Sequence, residues 1–177
     1  MHTVIKTYFV ACLLCLTTMS TTLAHDGQEN GCNGYDREIN TELLLLSERA
    51  AVMPTSLAVG KSYELILNPQ SEETMLAEPH RLSLDDASFA VILPLSLSTS
   101  AKYRISVSSE SWVDVVKRIK ETATYEVVPS TDFSGRFECK TLRKLVEYDL
   151  NHDDTYYLQL TGSPTSKIQI VITVVKA

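Results

Sequence analysis

The segment best suited to chemistry is Trp112-Val-Asp114-Val-Val116, where the lone tryptophan stands two residues from a carboxylate. In an extended chain those two side chains and Val116 share one side. A carboxylate in mid-strand must face water or meet a cation and hydrogen-bond donors. Arg143 and Lys144, four and five residues after Cys139, are the candidate partners. The cluster reads either as a structural ion pair or as an aromatic-plus-carboxylate recognition patch. In the second reading Trp112 is the apolar platform, Asp114 the acceptor, and Arg143 or Lys144 the counter-charge.

Two further groups could hold metal. Asp149-Leu-Asn151-His-Asp153-Asp154-Thr155 sets oxygen side chains at alternate positions, as calcium loops begin. Its sixth position is Asp154 where glycine would allow the sharp turn, and its twelfth is Leu160 where a bidentate glutamate belongs. A plain polar turn between two strands is the competing reading. Copper is the other candidate. Processing after Ala24 would make His25 the amino terminus, offering amine and ring nitrogen, with His80 or His152 as a second ligand. The chain carries no G-x-S-x-G, no H-E-x-x-H, no phosphate-cradling glycine loop and no dinucleotide fingerprint. No cofactor is implied, and the expectation is a non-enzymatic protein.

The elements that must position these groups follow from composition and periodicity. The 177 residues are 44% hydrophobic and 21% charged, as in a globular domain. Residues 1–24 have the basic start, short apolar core and small-residue end of an export signal, with cleavage expected near Ala24. Loss of Lys6 then leaves 15 basic against 22 acidic residues, a net charge of −7 that disfavours nucleic acid. The apolar core is too short to span a bilayer, so no integral membrane segment is expected. Cys32 and Cys139 remain, and two thiols in an oxidising compartment are expected to form one disulfide.

Residues 25–38 read as a loose polar arm, and 39–177 as a single domain. Ile39 to Ala51 is the one helical signal, with Asn40 or Thr41 as its cap and Glu42 in its first turn. Eight strand signals follow, at 63–67, 89–95, 102–107, 112–116, 124–128, 142–150, 156–161 and 167–175. In the third, Tyr103, Ile105 and Val107 point one way, and Lys102, Arg104 and Ser106 the other. The expected fold is all-β: an antiparallel, jelly-roll-like two-sheet sandwich of about eight strands with one short N-terminal helix.

The run Tyr103-Arg-Ile-Ser-Val, then Trp112-Val-Asp-Val-Val, then Phe137-Glu-Cys139-Lys-Thr-Leu-Arg143-Lys144 resembles a family of small exported proteobacterial proteins. Tyr156-Tyr-Leu-Gln-Leu160 matches the family's next strand, and Ser62 to Leu67 with the Glu42 helix resembles its beginning. After Val116 the chain departs from the pattern, with Lys117-Arg-Ile-Lys-Glu121 where a turn-forming Asp-Gly often stands. The resemblance implies export but brings no activity with it. Some members bear the name homogentisate 1,2-dioxygenase, a chemistry that needs an iron site of histidine and carboxylate. This sequence does not support that name. The expectation is therefore a periplasmic or secreted binding or accessory module for an unknown ligand or envelope protein. A metal-binding protein is the alternative.

Overall fold

The computed structural model describes Cys32, Tyr35 and residues 38–79, 87–136 and 138–176. The expected signal, most of the arm, and the candidate ligands His25 and His80 lie outside the described residues. Helix α1 (Asn40–Ser47) is followed by β1 (Ala51–Val52), β2 (Leu57–Ala58), β3 (Ser62–Ile66) and β4 (Asn68–Pro69). Then come β5 (Phe89–Ser96), β6 (Ala101–Val107), β7 (Trp112–Arg118) and β8 (Tyr125–Val128). The chain ends with β9 (Asp132–Gly135), β10 (Lys144–Leu150), β11 (Thr155–Ser163) and β12 (Lys167–Val174). All eight expected strands form. The additions are three two-residue pairings and the four-residue β9, each too short to show a period of two.

The strands build a two-sheet β-sandwich. One sheet runs β1-β3-β12-β6-β10-β9; the other runs β2-β5-β11-β7-β8, with β4 paired to β5. The long pairings are antiparallel, but β1 lies parallel to β3 and β2 parallel to β5. Both sheets are thus mixed, with the expected antiparallel pairing over the long strands and parallel pairing only at β1 and β2. A parallel neighbour needs a connection long enough to carry the chain back to the same end, and several residues separate each of these short strands from its partner.

Alternation places the core as expected. Tyr103, Ile105 and Val107 of β6, Ile168, Ile170 and Ile172 of β12, and Leu158 and Leu160 of β11 fill the space between the sheets. The opposite face of β6 departs from expectation. Lys102 is exposed, yet Arg104 and Ser106 are buried, because α1 lies across that face of the sheet. The helix is shorter than expected, since residues 51–52 belong to β1, and Ile39 stands at its N-cap without a side-chain cap. Packing beneath it, rather than capping, secures so short a helix. Ile39 and Leu46 pack with Cys139, Leu142, Leu145 and Val171.

A buried ionic cluster completes this layer. Arg104 Nη1 donates to Glu42 Oε1 at 3.1 Å and to the Glu38 carbonyl at 2.9 Å. Its Nε donates to Glu147 Oε1 at 2.9 Å, and Nη2 lies 2.8 Å from the same oxygen. Thr173 Oγ1 donates to Glu42 Oε1 at 2.7 Å. Glu42, Arg104 and Glu147 are 3%, 8% and 5% exposed, so these charges meet largely out of water.

Cys32 and Cys139 form the expected disulfide, 107 residues apart in the chain. Beside it the Tyr35 hydroxyl donates to the Leu142 carbonyl at 2.7 Å. Burial pushes that hydroxyl up to about 12, against the nearby positive charges of Arg136 and Arg143. Such a bond is consistent with a protein that folds outside the cytoplasm. Among the described residues, no helix is long and apolar enough to cross a membrane.

Two stability measurements check this layer. Arg104→Met removes the guanidinium that Glu42 and Glu147 share and should cost about 3–5 kcal/mol in denaturant unfolding. A cost below about 1 kcal/mol would show that water reaches the cluster. Replacing Cys32 and Cys139 together by serine should cost about 4 kcal/mol, the entropy of a loop of this length. Adding reductant to the unaltered protein should reproduce that loss.

Candidate functional site

The site arises where one strand outlasts its neighbour. β8 pairs with β7 only from Val115 opposite Val128 to Arg118 opposite Tyr125. Trp112, Val113 and Asp114 therefore extend past the end of β8. After Val128 the chain crosses at Pro129 and Ser130 to β9 in the other sheet, where Thr131 N–H donates to the Glu147 carbonyl at 2.8 Å. A cavity of about 300 Å³ lies at this corner, lined by residues of both sheets.

Val113, Asp114, Val146 and Tyr148 make its buried floor. Val127 and Val128 form a half-buried wall, while Pro129, Ser130 and Phe133 stand exposed at the rim. Phe133 is 70% exposed, a large apolar surface to leave in water beside a cavity. Trp112 and Lys144, both half-buried, complete the lining.

The polar groups converge on the indole. Trp112 Nε1 donates to Asp114 Oδ1 at 3.2 Å. Lys144 Nζ sits 4.2 Å from the centre of the Trp112 ring, in cation–π geometry. The same ammonium donates to the Ser111 carbonyl at 3.2 Å. That carbonyl is held by the turn from β6 to β7, where the Ser109 and Ser111 hydroxyls bond to each other and both residues are buried. Ser108 N–H donates to the Gln169 carbonyl at 3.0 Å, and Gln169 N–H donates to Ser108 Oγ at 2.8 Å. The local cause is the serine-rich turn Ser108 to Ser111, where short hydroxyls satisfy a backbone that passes between sheets.

Tyr148 closes the floor. Its hydroxyl donates to the Val113 carbonyl at 2.8 Å, giving a partner to β7 where β8 has left it. Burial raises its pKa well above the usual phenol range, and the negative charge of Asp114 raises it further. A backbone hydrogen bond from Val115 acts in the opposite direction.

Of the two candidate counter-charges, Lys144 lines the cavity and Arg143 does not. Arg143 precedes β10 by one residue, and its Nη1 donates to Glu110 Oε1 at 3.1 Å. Adjacent residues in extended chain project oppositely, so only one of the pair could reach Trp112.

The described metal candidates, Asp149, Asn151, His152 and Asp153, lie elsewhere. Asn151 Oδ1 accepts from Ser100 Oγ at 2.8 Å and from Asp153 N–H at 3.1 Å, the pattern of an Asx turn. His152 Nδ1 meets Ser100 Oγ at 2.9 Å, and its Nε2 lies 3.3 Å from Asp153 Oδ1. Asp149 is exposed and opposite Lys102 in the β10–β6 register. Asp154 accepts a salt bridge from Lys117 at 2.9 Å. Among the described residues there is no group of three His, Cys, Asp or Glu side chains that could hold a metal ion.

Val127, Val128 and Phe133 complete the site and were not singled out in the sequence. Phe133, in Asp132-Phe-Ser-Gly135, belongs to a segment with no period to mark it as a strand. Comparison with protein-family models, curated proteins and solved structures finds no match for this chain. Fold and site define a disulfide-linked two-sheet β-sandwich with a ligand-sized cavity at one corner.

The pKa of Tyr148 sets a pH dependence. Its folded value is raised above the ordinary 10.0, so its neutral form stabilises the fold fully below pH 10. That contribution is lost as pH rises beyond it. Tyr148→Phe should cost about 1 kcal/mol at neutral pH for the lost hydrogen bond. The variant should also lose stability less steeply than the parent above pH 10 in denaturant titrations. Equal alkaline slopes would contradict the assignment.

Proposed function

We propose that this protein is an exported, non-enzymatic binding or accessory module that captures a small ligand in the cavity under the β8–β9 crossing. One observation carries the reading. The single tryptophan stands between a carboxylate and an ammonium in the lining of a cavity of about 300 Å³ whose floor and wall are otherwise mainly apolar. Few convergent polar groups in a mainly apolar hollow is the common design of ligand sites.

The chemistry of the lining favours recognition over reaction. An indole N–H, a carboxylate, an ammonium and a buried phenol can orient a ligand. Nucleophilic catalysis would need a nucleophile hydrogen-bonded to a base that is itself oriented by a third group, and the described lining residues do not form that arrangement. The Cys32–Cys139 disulfide supports work outside the cytoplasm, and the signal-like segment over 1–24 makes the periplasm the expected compartment.

Trp112 is its own reporter. Titration with an uncharged apolar probe, benzyl alcohol or 1-hexanol, should change its fluorescence saturably and raise the unfolding temperature. Val128→Phe fills the cavity from a half-buried wall position and should abolish both responses while leaving the fold intact. A linear, unsaturable response, equal in parent and variant, would overturn the reading.

A further inference from the structure

A second charged corner lies on the outer face of the first sheet, where the end of β9 meets the start of β10. One step beyond the paired register, Arg136 N–H donates to the Arg143 carbonyl at 2.9 Å. The two arginines therefore stand across from each other. Residues so placed lie about 5.5 Å apart at Cα, and like charges there repel. Both guanidinium charges also act on the Tyr35 hydroxyl, so they converge on one place beside the Cys32–Cys139 disulfide. Lys144, the next residue, projects to the cavity on the opposite face.

The partners of this pair do not balance it. Arg143 Nη1 reaches Glu110 Oε1 at 3.1 Å, but the Glu110 side chain is 47% exposed, and such surface pairs are weak. Arg136 has no side-chain hydrogen bond or ion pair among the described residues, and its Nε is shielded from water without a partner. An unmet donor of that kind costs free energy, the more so on a charged group. Glu138 and Lys140, both exposed in the connection that follows, offset each other. The whole chain carries −6, so this excess of positive charge is local.

An anion between the two arginines answers both defects, accepting from Arg136 Nε and screening the repulsion. A carboxylate brings one charge and two oxygens. A phosphate monoester brings nearly two charges and three terminal oxygens, which planar guanidinium forks match in pairs. We propose that Arg136 and Arg143 form a binding site for a phosphate monoester group, carried by a soluble molecule or by a lipid headgroup. The site is separate from the cavity between the sheets and does not depend on it. Glu110 competes with the phosphate for Arg143.

Nuclear magnetic resonance on the unaltered protein reads the site directly, because the Arg136 Nε–H has its own signal. Glycerol 3-phosphate should move that signal saturably at constant ionic strength, and chloride should not. Acetate should bind about tenfold or more weakly, the value of one hydrogen bond between charged groups. Arg136→Met should weaken glycerol 3-phosphate binding by a similar factor, followed at the Tyr35 ring. Glu110→Gln should tighten it by up to about fivefold, the worth of a surface ion pair and a gain that lost structure would not produce. Trp112 fluorescence should stay unchanged throughout. Phosphatidylcholine vesicles with and without phosphatidic acid separate the two sources. Capture by phosphatidic acid at lower phosphate concentration than glycerol 3-phosphate requires assigns the group to a lipid, and no such preference assigns it to a soluble ester. An equal response to chloride, or no response to either phosphate probe, overturns the site. Acetate binding as tightly as glycerol 3-phosphate overturns the choice of phosphate. A phosphate response at Trp112 without one at Arg136 would place the anion in the cavity and also overturn the proposal. The signal of the unaltered protein and Glu110→Gln decide the matter even should Arg136→Met fail to fold.

Discussion

Arg104 lies between Glu42 of α1 and Glu147 of β10, largely out of water, and the rest of the first sheet's outer layer is arranged around that contact. The guanidinium is flat and carries five donors in fixed directions, so it sets the distance and angle at which helix and sheet can meet. Taking such charges out of water offsets much of their mutual attraction, and the cluster need not add net stability. Its effect is on which arrangement is adopted. A helix of eight residues with no side-chain cap has little tendency to form alone. Here it is oriented by one buried ion pair, by the Thr173 hydroxyl, and by Leu46 seated among Leu142, Leu145 and Val171.

The same strand couples this layer to the cavity. β10 presents Leu145 and Glu147 to the helix side, and Lys144, Val146 and Tyr148 to the cavity. Because side chains alternate along a strand, anchoring one set positions the other. The disulfide acts on the same element from its beginning. Cys139 stands in the connection between β9 and β10, five residues before Lys144, and its bond to Cys32 ties that connection to the N-terminal segment. The ammonium over Trp112 is therefore carried by a strand fixed at its start and along its outer face.

The cavity itself is a consequence of unequal strand lengths. β8 leaves β7 after Val128 and crosses to the other sheet, so Val127, Val128 and Phe133 wall the corner of the sandwich without filling it. Tyr148 partly compensates by bonding the carbonyl of Val113, and the remaining space is lined by valines, Phe133 and the charged pair around the indole.

Much of the fold was legible in the amino-acid order. The eight longer strands follow from β-branched and aromatic runs between turn residues, and the inward set of β6 follows from strict alternation of Tyr103, Ile105 and Val107. Half of the site was legible as well: a lone tryptophan two residues before a mid-strand carboxylate marks a position that must find partners. By itself the sequence determined local conformation, the inward face of β6 and the one pairing open to two cysteines, since all three depend on near neighbours or on a count. Only the tertiary structure decided that Arg104 is buried, that Lys144 rather than Arg143 meets Trp112, and that Phe133 belongs to the site. Each of those depends on which distant segment covers a face or leaves it open, a relation between residues far apart in the chain that no local period records.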